Sequence, residues 1–215
     1  MGRYLMSDAD TSVRIMKVGK RDIPEALELC WKVFQEFEAP DYAQEGIDEF
    51  HRFIDGEWKR FGLKFYTAVH DGRIVGVLAM RPMNHISLFF VERQWQGKGI
   101  GRMLFESMKA CTNATMYTVN AAPYAFGIYE NLGFAPTDEE KTVKGIRFIP
   151  MTYCKDRNDI PCATCRLRAK YESNPKSLGG RFWRWHIKFC PGWKAYLASL
   201  PKEERIKLKE KYHLS

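Results

Sequence analysis

From Val91 to Arg102 the chain leaves an apolar segment, passes through a glycine-rich turn and enters the amphipathic pattern Met103 to Met108. Glycines at 97, 99 and 101 let successive backbone N–H groups converge on one concavity, and the positive end of the helix that follows favours an anion there. Two better-known phosphate loops do not fit. A dinucleotide fingerprint read from Gly97 and Gly99 needs glycine where Arg102 stands, and a P-loop needs Ser or Thr after Gly97 and Lys98, where Gly99 stands. What remains is Gln96-x-x-Gly99-x-Gly101 after a strand, a pyrophosphate cradle of another kind or an ordinary tight turn.

A second segment narrows the choice. Tyr117 to Phe134 reads as a short β-branched strand, a break at Asn120, a helix opened by Pro123, and a stop at Gly133. Together with the glycine turn, in the same order and at the same spacing, this segment resembles the GNAT superfamily of acyl-CoA N-acyltransferases over about residues 13 to 153. The resemblance implies an α/β (α+β) fold: a twisted, mostly antiparallel mixed sheet flanked by helices.

It also implies a chemistry, N-acyl transfer with acetyl-CoA as cosubstrate and a primary amine as acceptor, by direct attack. Gln96, Gly97, Lys98, Gly99, Ile100, Gly101 and Arg102 would hold the pyrophosphate. Phe89, Phe90 and Val91 would offer backbone groups to the pantetheine amides as if to an added strand, and Asn120 would touch the same arm. Acyl transfer from a thioester expels a thiolate, and a phenol with a reference pKa of about 10 is still protonated at neutral pH, so it can donate to that sulfur. The resemblance puts Tyr129 in this role; a packed helix tyrosine is the plainer reading of the same residue. For the base that accepts the amine's proton, Glu92 is the candidate, with His85 and a relayed water as alternatives. The acceptor is not legible, because loops build that pocket. An acyl-CoA sensor or non-catalytic scaffold recruited by the tail is the other reading of the whole chain.

The positioning elements follow from periodicity. Val13 to Val18 alternates as a strand, and Asp22 precedes a helix to about Phe37 with Ile23, Ala26, Leu27, Cys30, Val33 and Phe34 on one face. The acidic, aromatic stretch Glu38 to Tyr42 interrupts it and, by resemblance, borders the acceptor site with a second helix from about Gln44 to Phe61. Strands are expected at Lys64 to His70, Arg73 to Arg81 after the Asp71-Gly72 hairpin signal, Asn84 to Val91, Met116 onward, near Phe134, and Lys144 to Cys154. The glycine turn opens a helix from Gly99 to Cys111.

With 215 residues, 45% hydrophobic, the chain fits one enzyme domain at 1–153 and a smaller appendage at 154–215. No run approaches the roughly 18 apolar residues of a membrane span. A signal peptide and a myristoylation pattern are not recognisable at the N-terminus, so cytoplasm and no membrane partner are expected.

The appendage is different in kind. Residues 151–215 hold 15 Lys+Arg against 6 Asp+Glu, whereas residues 1–150 hold 19 against 20, so the basic excess lies entirely in the tail. Cys162 and Cys165, with His186 and Cys190, have the spacing of a structural zinc set, with Cys154 in reserve; free thiols or a disulfide are the alternatives. Arg181 to His186 mixes cations with aromatics, as nucleic-acid-binding segments do. The favoured expectation is a helix that buries Phe182, Trp185, Phe189 and Trp193, and a charged surface helix from Pro201 to Tyr212.

Overall fold

The structure, a computed structural model, describes residues 13–19, 21–155, 162 and 164–214. The elements of the first part are β1 (Arg14–Lys17), α1 (Ile23–Phe37), α2 (Gln44–Asp55), β2 (Lys64–His70), β3 (Arg73–Arg81), β4 (His85–Val91), α3 (Ile100–Ala110), β5 (Met116–Ala121), α4 (Phe126–Asn131), β6 (Ala135–Pro136), β7 (Lys141–Val143) and β8 (Ile146–Cys154). α5 (Arg166–Ser173), α6 (Leu178–His186), α7 (Pro191–Ser199) and α8 (Lys202–Lys211) follow.

The strands form one sheet in the order β1-β2-β3-β4-β5-β8-β6, with β7 paired to β8. Every pairing is antiparallel except β4 with β5. This is the expected mixed, mostly antiparallel sheet with helices on it. Adjacent hairpins link β2 to β3 and β7 to β8, the second through Lys144 and Gly145, both at positive φ, as a two-residue hairpin turn requires. A parallel partner cannot be reached by a hairpin, so α3 carries the chain from β4 to β5.

Each face of the sheet has its own core. On one, α3 and α4 bury Leu104, Phe105, Met108 and Tyr129 against Tyr66, Leu78, Tyr117 and Phe134. On the other, Ala26, Leu27, Cys30, Val33 and Phe34 of α1 pack on Phe65, Val77, Ala79, Leu88 and Phe90, the face that the periodicity marks. The expected second helix is shorter than its pattern: α2 ends at Asp55, and Glu57–Phe61 is a 3-10 turn closed by Gly62 in the left-handed region. Two glycines bring α2 onto the β7–β8 turn. A Cβ on Gly46 would run into the Gly145 carbonyl, and one on Gly145 into the Gly46 amide.

The appendage has a third core of Trp183, Ile187, Trp193, Leu197 and Tyr212. Its rings meet edge-to-face, Trp183–Trp193 at 5.4 Å and Trp183–Tyr212 at 4.9 Å, a geometry worth about 0.5–1.5 kcal/mol per pair beyond area. α7 lies on β6 and β8, and Lys194 Nζ reaches Asp138 Oδ2 at 2.7 Å. The expected buried face of α6 is wrong by about half a turn. Trp183 and Ile187 are inside with Trp193, while Phe182, Trp185 and Phe189 are 50, 59 and 68% exposed. Two apolar stripes run along this segment, and spacing alone cannot say which one the core takes. Among the described residues no helix is long and apolar enough to cross a membrane.

The Gly46–Gly145 approach generates a prediction. Gly46→Ala keeps helix propensity but forces α2 off the β7–β8 turn, and thermal or urea unfolding is expected to show a loss of about 1–3 kcal/mol. An alanine variant as stable as wild type would mean that the two backbones are free to separate.

Candidate functional site

The site begins where two strands part. β4 and β5 are in register at His85–Thr118 and Ile86–Val119, and the pairing then stops, although β4 runs on to Val91 and β5 to Ala121. A bulge helps to open the gap. Ala79 faces Leu88 and Met80 faces Ile86, so β4 carries Ser87 as an extra residue. Bulges bend a strand and redirect its side chains; beyond this one Leu88 and Phe90 face the α1 core while Phe89 and Val91 turn to the other.

At the open end lies the glycine turn. Trp95 is buried and anchors it, Gln96 Nε2 donates to the Val91 carbonyl at 2.9 Å, and Gly97 and Gly99 have φ of 72° and 80°. That left-handed backbone is cheap only for glycine. Gly99 is the N-cap of α3, so the first N–H groups of the helix face the opening without internal acceptors. Gly101 is tight for another reason: a Cβ there would come within 3.3 Å of the Phe89 ring. Lys98 sits with its ammonium 4.8 Å from the Trp95 ring centroid, and Arg102 donates to the Asn131 carbonyl at 2.7 Å.

Two clefts meet at this opening. The first, about 380 Å³, runs between the turn and α4, bounded by Phe89, Val91, Gly99, Gly101, Ile128 and Leu132 among others. The second, about 470 Å³, lies between α2, the β7–β8 turn and β4, with Phe50, Phe53, Phe61, Arg81, His85 and Arg147 on its walls. Glu38, Phe89, Phe90, Ala125 and Tyr129 line both. A wider hollow of about 1000 Å³ beside Trp31 and Trp58 shares no residue with the turn and does not include Tyr129.

Tyr129 is 6% exposed, its ring set against Phe89 at 5.8 Å and Phe134 at 5.3 Å. Burial, reinforced by the charge of Glu38, pushes its phenol well above the ordinary tyrosine range. It therefore stays protonated at neutral pH. Glu38 is the opposite case: burial pushes its carboxyl up to about 7, and the Tyr42 hydroxyl offsets this only weakly from 3.5 Å. A carboxyl held there is poised to accept a proton near neutrality.

Glu92, the expected base, lies outside both clefts. Glu92 accepts hydrogen bonds from Lys32 Nζ at 2.8 Å, Arg73 Nη2 at 2.7 Å and Gln94 Nε2 at 3.0 Å, and the Lys32 bond above all holds its carboxyl below the usual range. Its oxygens are committed to tying α1 to the end of β4 and the start of β3. His85 does line the second cleft, but Nδ1 shares a hydrogen bond with Thr118 Oγ1 at 2.9 Å, and burial with the Arg81 charge lowers it to about 4. It is neutral and weakly basic at pH 7. Asn120 lies on the second cleft rather than the first. Glu38 carries no motif, yet a signal existed: it falls four residues after Phe34, on the row through Cys30 and Phe34 that the core takes, and a carboxylate continuing an apolar face is an anomaly.

In the appendage Cys162 is buried, its thiol pushed up to about 12 by burial first and then by Cys190. His186 instead stacks on the half-exposed ring of Phe182 at 5.8 Å. Among the described residues no group of three or more His, Cys, Asp or Glu side chains forms a metal site, so the expected zinc set of Cys162, Cys165, His186 and Cys190 is not supported. His186 is part-buried beside the Phe182 ring, whereas Cys162 packs in the core with Trp183 and Ile187.

A parted β4–β5 pair beside a glycine turn at a helix N-terminus is the arrangement that the resemblance to acyl-CoA N-acyltransferases implies. The family model of the acetyltransferase (GNAT) domain matches residues 38–155, and the chain belongs to that family. Solved structures of similar fold include a GCN5-related N-acetyltransferase from Rhodopseudomonas palustris, with 20% identity, a TM-score of 0.58, and coverage of 71% of this chain and 99% of that one. Another is the apo form of YjaB from Escherichia coli, with 19% identity, a TM-score of 0.53, and 66% and 97% coverage. A third is PaiA N-acetyltransferase from Thermoplasma acidophilum in complex with coenzyme A, with 18% identity, a TM-score of 0.50, and 66% and 99% coverage. A search of curated protein sequences finds no match.

The raised carboxyl of Glu38 has a cost that can be measured. A group that binds its proton more tightly folded than unfolded contributes stability below its unfolded value, near 4.5, and loses it as pH rises through about 7. Glu38→Gln is therefore expected to raise the melting temperature at pH 8 and to leave it nearly unchanged at pH 4.5. Equal shifts at both pH values would show that the carboxyl titrates normally.

Proposed function

We propose that this protein transfers an acetyl group from acetyl-CoA to a primary amine by direct attack, within residues 1–153, while residues 154–215 form a basic appendage. The observation that carries the reading is the meeting of two clefts at one tyrosine and one carboxyl. The glycine turn, from Gln96 to Arg102, takes the pyrophosphate on its backbone N–H groups. The unpaired edge of β4 at Phe89, Phe90 and Val91 takes the pantetheine amides, and the thioester lies beside Tyr129. The amine enters through the second cleft.

In this reading the amine nitrogen attacks the thioester carbonyl, Glu38 accepts the proton that the nitrogen sheds, and the C–S bond breaks with the Tyr129 hydroxyl hydrogen-bonded to the departing sulfur. Atoms balance as amide plus thiolate with the proton on Glu38, which passes through solvent to leave amide, thiol and an ionised Glu38. The fold supports the cosubstrate, since PaiA is a coenzyme A complex of similar architecture. Six free cysteines fit the reducing cytoplasm as the site of action.

Thiol release from acetyl-CoA across a panel of amines tests the activity. Tyr129→Phe is expected to lower kcat about 10-fold to 1000-fold with little change in the KM for acetyl-CoA, because the hydroxyl is needed as charge develops on sulfur. In wild type kcat/KM for the amine falls as pH drops through about 7, where Glu38 gains its proton; Glu38→Gln is expected to be slow and to lack that limb. Wild-type turnover in the phenylalanine variant, or an unchanged acid limb in the glutamine variant, would remove those assignments.

The turn is tested by affinity. Gly101→Val sets a branched side chain against Phe89, and calorimetry is expected to show acetyl-CoA binding weakened at least about tenfold, as for overpacking beside a preformed anion site. Undiminished affinity in a folded valine variant would take the turn out of the mechanism.

A further inference from the structure

The aromatic side chains that α6 leaves outside have no role in the acyl-transfer site. Leu178, Phe182, Trp185 and Phe189 are 86, 50, 59 and 68% exposed, at spacings of four, three and four residues, so they form one stripe along α6 and the turn after it. The rings follow one another at 5.9 Å from Phe182 to Trp185 and 5.8 Å from Trp185 to Phe189. Large apolar side chains are left in water in a row only where something covers them.

The surrounding charge is one-signed. Between Glu172 and Glu203 the sequence has no carboxylate and six Lys or Arg. Among the described residues Arg166, Lys170, Lys176, Arg181 and Lys188 make no salt bridge, whereas cations of the catalytic sheet are neutralised by Glu36, Glu49, Glu92, Asp138 and Glu140. A surface of this sign suits an anionic partner. A second copy of the same stripe would bring Arg181 and Lys188 against themselves, which like charge opposes. A lipid surface asks for an apolar face broad enough to bury into the headgroup boundary. Here Arg181 and Lys188 flank the stripe on one side and His186 on the other, so the apolar row is one residue wide. Planar bases joined by phosphates match both halves, rings for stacking and cations beside them.

We propose that the Leu178–Phe189 face of the appendage binds single-stranded nucleic acid, its bases stacked on Phe182, Trp185 and Phe189 and its phosphates met by Arg181, Lys188 and neighbouring cations. The probe is a fluorescently labelled 20-nucleotide uridine RNA, followed by anisotropy with the full chain over a salt series. Wild type is expected to bind it, more weakly as salt rises, and to prefer it to a duplex of equal length whose bases are already stacked.

Phe182→Ala/Trp185→Ala/Phe189→Ala changes only exposed side chains, so the melting temperature should hold. Affinity should fall at least about tenfold with the salt slope kept. Arg181→Gln/Lys188→Gln should reduce the salt slope by about one to one and a half. The proposal is overturned if wild type does not bind the RNA, if the alanine variant binds as well as wild type, or if duplex and single strand bind alike. It is equally overturned if the alanine variant instead abolishes sedimentation with phosphatidylserine vesicles, or a monomer–dimer equilibrium, while leaving RNA affinity intact.

Discussion

Everything in the catalytic half depends on β4 and β5 ceasing to pair after Ile86 and Val119. Backbone N–H and C=O groups in a sheet interior are costly to leave unmet, so a parting there persists only if surrounding packing enforces it. Here it is enforced from both sides. The Ser87 bulge turns β4, α3 and Trp95 pin its far end, and β5 is held away by six residue pairs with β8. The resulting opening is a built absence of hydrogen bonds, and a ligand with amide groups is the natural thing to complete it.

The elements with strong period are legible in the sequence. α1 and α3 each bury a stripe, β4 alternates, β2 and β3 are continuous buried runs, and the glycine turn announces itself because Gly97 and Gly99 need a backbone that other residues avoid. Glu38 is not, because what matters about it is the wall opposite: Phe89, Phe90 and Tyr129 come from segments fifty to ninety residues away. Glu92 is the matching case. A carboxylate at the end of the right strand looks available until Lys32 and Arg73, from α1 and β3, are seen to occupy it. The α6 stripes show a third kind of limit, since two apolar rows on one short helix leave the choice to tertiary packing.

Glu92 nonetheless bears on the geometry. Buried and bonded to Lys32, Arg73 and Gln94, it fixes α1 relative to the root of the glycine turn, and α1 ends one residue before Glu38. Surface ion pairs are worth about 0–1 kcal/mol, but a carboxylate at 6% exposure cannot lose its partners cheaply. The strut therefore sets the distance between the cradle and the carboxyl at the junction of the clefts.

Because Glu38 walls both clefts, its proton affinity answers to both occupants. Under the proposed reading, a thioester in the first cleft would displace water and oppose ionisation of the carboxyl, whereas an ammonium arriving in the second would draw it back toward the charged form. The two ligands would act on it with opposite sign. An acyl donor waiting without an amine would then have no ionised carboxylate beside it to turn water into a nucleophile, and the energy of the thioester would be kept for the amine.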